Sequence, residues 1–213
     1  MTRILRWFFY AVMVRLVVLV LLGLNVRHRE RLPQQGPAIL VANHNSHLDT
    51  AVLMSLFPLR LLPMIQPVAA MDYFLRNPFL AWFSLNIVGI LPIKRKLESR
   101  TDNPLLPCHA ALHDGQILIL FPEGSRGEPE RLEKLKSGIT LLAAQFPEIP
   151  VIPIFLHGLG KSLPKGEGLL VPFFCDVFIG EALYWGGDRK VFMRQIEERM
   201  GCLAAEGQFP PWE

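Results

Sequence analysis

Asn43-His44-Asn45-Ser46-His47-Leu48-Asp49 is the stretch on which the reading of this chain turns. The apolar run Ala38–Ala42 precedes it and a mostly apolar segment, residues 51–57, follows. That pattern is a strand, a polar turn and a helix start. The turn lifts His44, and Asp49 five positions on, to the edge of a sheet where a substrate can reach them. An imidazole whose second nitrogen is held by a carboxylate is a general base. The carboxylate fixes the tautomer and stabilises the imidazolium formed on proton uptake.

Two further turns follow strand-like runs. Phe121-Pro122-Glu123-Gly124-Ser125-Arg126-Gly127 ends the run over residues 117–121, with Glu123 and Arg126 on either side of Gly124. A guanidinium is suited to bidentate phosphate binding. Lys94-Arg95-Lys96 ends the run over residues 88–93 in concentrated positive charge. Taken singly, such motifs are commonly solvated turns. Three of them at the carboxyl ends of strands in one sheet define a crevice.

Short apolar runs bounded by turn residues predict strands over residues 38–42, 64–70, 88–93, 117–121, 151–156 and 173–179. Helices are expected over residues 49–57, 78–86, 104–113, 135–146 and 189–203. Their alternation predicts an α/β fold with a mixed, largely parallel sheet flanked by helices. One boundary is expected, near residues 31–36, dividing an N-terminal membrane helix (1–31) from a catalytic domain (32–213).

The N-terminal expectation rests on residues 7–24, apolar except for Arg15 and flanked by Arg3 and Arg6 before and Arg27, Arg29 and Arg31 after. A helix of that length reaches about 27 Å, against a hydrocarbon core of about 30 Å. A mid-segment Arg costs about 2.5–3.5 kcal/mol on insertion scales. Two placements therefore stand: a spanning helix, and one embedded obliquely in one leaflet with Arg15 reaching headgroups or acids of the domain. No small-residue cleavage site follows, which argues against a signal peptide. A core helix of the domain is disfavoured because apolar residues cover every face.

Composition narrows the function. With 213 residues, 51% of them hydrophobic, the chain can bury one substantial core. A net charge of +3 without an aromatic-interleaved basic stripe gives no case for nucleic acid as a partner. Cys108, Cys175 and Cys202 are far apart and form no CxxC pair, so neither a disulfide framework nor a thiolate metal site is expected. His109 and His113 lie four apart, but no Glu between them and no third ligand suggests a metal.

Together the motifs resemble the lysophosphatidic acid acyltransferase family, the 1-acylglycerol-3-phosphate O-acyltransferases within the glycerolipid acyltransferases. The family's NHxSxxD motif is matched by Asn43, His44, Ser46 and Asp49, and its glycine–apolar strand ending in Arg by Gly89-Ile90-Leu91-Pro92-Ile93-Lys94-Arg95. Residues 121–127 match FPEGTRS with Ser125 for Thr and Gly127 for Ser. Leu135-Lys136-Ser137-Gly138 resembles its FKxG element, and residues 149–154 its apolar VPV motif. Two departures bear on the acceptor headgroup. Gly127 and Glu128-Pro129-Glu130 replace small polar and basic residues, and Ala69-Ala70-Met71 stands where many members carry a Lys.

The resemblance implies roles. His44 is the base that deprotonates the acceptor hydroxyl, and Asp49 orients it. Arg126 and Arg95 hold the acceptor phosphate, while Glu123 and Ser46 pin the loops or bind the glycerol. Backbone N–H groups at Gly124 and Ser125 are the expected oxyanion hole. The hydroxyl attacks the thioester of acyl-CoA or acyl carrier protein directly, and no metal or redox cofactor is demanded. The expected partners are membrane lipids, the lysophospholipid acceptor and the thioester donor, at the cytoplasmic face of the inner (plasma) membrane. Alternatives are another acceptor such as a lyso-aminolipid, a lipid acyl hydrolase or thioesterase using water, and a catalytically silent membrane-binding protein.

Overall fold

The computed structural model describes residues 2–18, 22–46, 48–74, 77–94, 103–124, 134–162 and 173–209. Its strands are β1 (Leu22–Arg27), β2 (Ala38–Ala42), β3 (Ile65–Ala70), β4 (Leu91–Ile93), β5 (Ile117–Leu120), β6 (Val151–His157) and β7 (Phe173–Ile179). Its helices are α1 (Thr2–Phe8), α2 (Leu48–Ser55), α3 (Met71–Phe74), α4 (Pro78–Phe83), α5 (Leu106–His113), α6 (Gly138–Gln145), α7 (Leu159–Ser162) and α8 (Arg189–Glu206). Widened π-helical stretches, Phe9–Val14 and Ser84–Val88, continue α1 and α4.

The seven strands form one sheet in the order β1-β7-β6-β2-β5-β3-β4. Every adjacent pair is parallel except β6 and β7. Central β2 is buried on both sides, which is why Ala38–Ala42 reads as an unbroken apolar run. Its residues divide by strand alternation. Ala38, Leu40 and Ala42 join the core under α2, while Ile39 and Val41 join the core formed with α5, α6 and α8. Cys108 lies fully buried in the second core, where burial pushes its thiol up to about 12 and leaves it inert as a nucleophile.

The N-terminal expectation needs correction. Among the described residues no helix is long and apolar enough to cross a membrane. Helical structure over residues 2–18 lies against the domain, and Tyr10, Val14 and Val18, four apart, enter the first core. Two polar contacts fasten it: Arg6 Nη2 donates to Ile65 O (3.1 Å), and Tyr10 Oη to Val88 O (3.3 Å). Residues 19–21 lie outside the described residues, and from Leu22 to Arg27 the expected membrane helix is strand. Residues 22–27 alternate inward and outward and pair in parallel with β7, Leu22 beside Phe173 and Arg27 beside Phe178. A strand spends its backbone polar groups on a neighbour, so a sheet edge beside β7 captures residues whose apolarity alone would also suit a helix. The sheet thus takes its first strand from the N-terminal side of the expected boundary at 31/32.

The remaining elements follow the expectation closely. The strand expected over residues 88–93 is shorter, because Val88 closes the π-helical stretch and Gly89 turns the chain at φ +80°.

Candidate active site

β2 and β5 are parallel neighbours, with Val41 beside Leu120, so the turns that leave their carboxyl ends emerge side by side. This brings residues 43–46 against residues 121–124, although nearly eighty positions separate them in sequence. The loop after β2 is held by asparagines. Asn43 pairs with Leu156 of β6 as a strand residue would, its Oδ1 accepting from Leu156 N (2.7 Å) and its Nδ2 donating to Leu156 O (2.8 Å). Asn45 Nδ2 donates to the same carbonyl at 3.2 Å. The strand thus ends without leaving buried backbone groups on β6 unpaired.

Asp49 stands in the first turn of α2 and is fully buried. Its Oδ2 accepts from Asn45 N (2.7 Å), Ser46 N (2.9 Å) and His44 Nδ1 (2.8 Å). Three donors converging on one oxygen offset part of the cost of burying a carboxylate. The same bonds fold residues 44–46 back over the helix start, where the partial positive charge of the N-terminus adds to them. Ser46 is buried, and its Oγ accepts from Leu48 N (3.3 Å), which ties it into the loop.

The imidazole of His44 is fixed on two sides. Asp49 takes one edge, and Phe121 stacks on its face with centroids 4.2 Å apart and planes at 23°. A carboxylate only accepts, so the proton sits on Nδ1 and the lone pair on Nε2. The ring is 20% exposed against 0% for its partner. That asymmetry leaves a buried anion behind an accessible base, an arrangement that can take a proton from a hydroxyl and stabilise the resulting imidazolium.

Glu123 is buried beside this loop, its Oε2 accepting from His44 N at 3.4 Å. Gly124 has φ +74°, a conformation glycine tolerates and most residues resist. Its N–H donates to Phe121 O at 3.0 Å. Of the two N–H groups expected to form the oxyanion hole, that of Gly124 closes its own turn, and that of Ser125 lies outside the described residues.

Ser125, Arg126, Arg95 and His47 lie outside the described residues. The strands that lead to Arg126 and Arg95 are nonetheless placed, and they are not neighbours. β3 stands between β5 and β4, so their ends are separated by two strand spacings, roughly 10 Å. Phe121, Asn43 and Asn45 were not legible as site residues. Asn43 and Phe121 stand in the two quoted motifs without a role of their own, and Asn45 had only its place beside the histidine. His109 packs edge-on against Phe146 and His157 stacks on Phe209.

A histidine–carboxylate pair at the carboxyl ends of a mixed α/β sheet, with a second acidic turn beside it, defines a site built for general-base chemistry. Residues 23–157 match the family described as Acyltransferase, and the chain belongs to it. It is 33% identical over 149 residues to the chloroplastic 1-acyl-sn-glycerol-3-phosphate acyltransferase of Arabidopsis thaliana, covering 69% of this chain and 40% of that one. A lyso-ornithine lipid O-acyltransferase of Rhizobium meliloti is 28% identical over 158 residues, 72% of this chain and 50% of its own. The chain spans less than half the length of the plant relatives it matches, 40% and 45%. In fold it resembles the crystal structure of the 1-acyl-sn-glycerophosphate acyltransferase of Thermotoga maritima, with TM-score 0.76 and 20% identity over 98% of this chain and 80% of that one.

Proposed function

We propose that this protein transfers a fatty acyl group from acyl-CoA or acyl carrier protein to the free hydroxyl of a lysophospholipid. The acceptor we favour is 1-acylglycerol-3-phosphate, giving phosphatidic acid. The observation that carries the reading is the 2.8 Å bond from His44 Nδ1 to a fully buried Asp49, which leaves Nε2 to accept the acceptor's proton. The deprotonated hydroxyl attacks the thioester carbonyl, the tetrahedral oxyanion collapses, and the thiol leaves with the proton. Arg126 and Arg95 hold the acceptor phosphate, and Glu123 and Ser46 keep the two turns in place. The lyso-ornithine lipid relative supports a second reading, an acceptor whose headgroup carries no phosphate.

The test is thiol release by the purified protein with both donors and a panel of lysolipids. The expected result is release that requires the lysolipid and is fastest with 1-acylglycerol-3-phosphate. Release at the same rate without any lysolipid would identify a thioesterase instead.

The site works at a membrane surface on the cytoplasmic side, where thioester donors are available. The lysolipid and its product then stay in lipid, which avoids extracting acyl chains at about 0.8 kcal/mol per methylene. Support comes from the outer face of the segment 2–18, where Ile4, Trp7, Phe8 and Met13 are exposed. Phe9 packs edge-on against Phe83, joining it to α4, which exposes Phe79 and Trp82. Such a contiguous apolar surface exceeds what scattered surface residues produce. Replacing Trp7, Phe8, Phe79 and Trp82 together with Asp should abolish co-sedimentation with lipid vesicles. It should lower activity on long-chain acceptors more than on short, soluble ones. Equal losses at both chain lengths would remove this surface from the account.

A further inference from the structure

We propose that Lys136 is an acceptor-site cation that binds the phosphate monoester of the lysolipid headgroup and so selects an anionic acceptor. The proposal deepens the function proposed above and rests on it. Lys136 precedes α6, and its backbone N–H donates to Pro122 O at 2.8 Å, which pins it to the turn after β5. Its side chain then crosses Gly124. Nζ takes the place that a Cβ on Gly124 would fill, with Cε 2.9 Å and Cδ 3.0 Å from that point.

Gly124 therefore meets two demands at once, the backbone at φ +74° and the room for a lysine stem. The residue before it, Glu123, bonds to His44 N, so the ammonium sits one residue from the group that touches the base's own backbone. Arg126 follows Gly124 by two positions. Lys136 is exposed, and among the described residues it forms no ion pair. Next to it, Ser137 Oγ accepts from Arg189 Nη2 at 2.6 Å, so a guanidinium is bonded to the residue that follows Lys136. An accessible ammonium laid across the glycine of an active-site turn matches a dianionic headgroup, and a neutral one gains nothing from it.

A phosphate monoester reaches this crevice from two sources, the lysolipid headgroup and the 3′-phosphate of coenzyme A, and we assign Lys136 to the first. The test is calorimetric binding to the full chain of three probes: a short-chain 1-acylglycerol-3-phosphate, the matching monoacylglycerol, and coenzyme A. Lys136→Met keeps the stem on Gly124 and removes the charge. It should weaken binding of the phosphate acceptor roughly 10-fold or more, in line with a lost charge-assisted contact, and leave the other two probes unchanged. Lys136→Arg should restore affinity to within about 3-fold, and Lys136→Glu should weaken it further.

An unchanged affinity for the phosphate acceptor overturns the assignment, as does a loss confined to coenzyme A. Equal losses on the phosphate acceptor and the monoacylglycerol would show a merely structural lysine. A wild-type protein that binds no phosphate acceptor also overturns it. One that binds it with the expected Lys136 dependence, yet never acylates it, supports the assignment and counts against the proposed reaction.

Discussion

Replacing His44 with alanine should lower kcat by about 10²–10⁴-fold in a protein that remains folded, the range a positioned general base contributes. The chemistry needs a lone pair at Nε2, which the bond from Nδ1 to Asp49 leaves open. The fold should tolerate the change because the ring lies at the surface of the crevice, in contact with Phe121 and bonded to one Asp49 oxygen. Asp49→Asn is the sharper companion. The amide is nearly the same shape, but it removes the charge that stabilises the imidazolium and can donate where Nδ1–H must be accepted, so the ring adopts the wrong tautomer. Its kcat should fall comparably, by about 10³–10⁴-fold, with KM for both substrates little changed. Circular dichroism and steady-state kinetics on the two variants decide the matter. A folded His44→Ala protein retaining more than a tenth of wild-type turnover would sink the assignment and turn attention to His47.

Deleting residues 1–25 should abolish stable folding, not simply release the protein from membranes. The deletion removes Tyr10, Val14, Val18 and Leu22, each at most 5% exposed, from the first core. It also removes most of β1 and its pairing with β7, and the Arg6 and Tyr10 bonds to Ile65 and Val88. Losing one large buried side chain costs about 2–5 kcal/mol. A whole domain is stable by about 5–15 kcal/mol, so four such losses exhaust it. Denaturant unfolding monitored by Trp fluorescence should show a cooperative transition for the full chain and none for the truncated one. A truncated protein that unfolds cooperatively at the same midpoint would mean that residues 1–25 are an appendage, as a simple membrane anchor would be.

The contrast between these two regions explains what was legible before any coordinates. His44 and Asp49 are five residues apart, and their bond is local. An apolar strand, a polar turn and a helix start bring them together, and the other strand-exit turns make the pair stand out from a solvated turn. Glu123 follows a strand that must be buried, and its carboxylate meets the backbone of His44. Residues 7–24 were not legible. Their apolarity is compatible with lipid, with a core helix or with a strand, and local pattern does not choose among partners that are distant in sequence.

Sheet order made the remaining choices. Parallel pairing of β2 with β5 sets the His44 and Glu123 turns side by side, whereas β3 comes between the strands leading to Arg126 and Arg95. Pairing with β7 drew Leu22–Arg27 out of the expected helix and into the sheet. The stacking of Phe121 on His44 and the passage of Lys136 over Gly124 also join residues whose neighbourhood depends on that order. Local chemistry is written in residues a few positions apart, where backbone geometry leaves little freedom. Contacts across the sheet depend on which strands pair, and that is selected by the burial of the whole core at once.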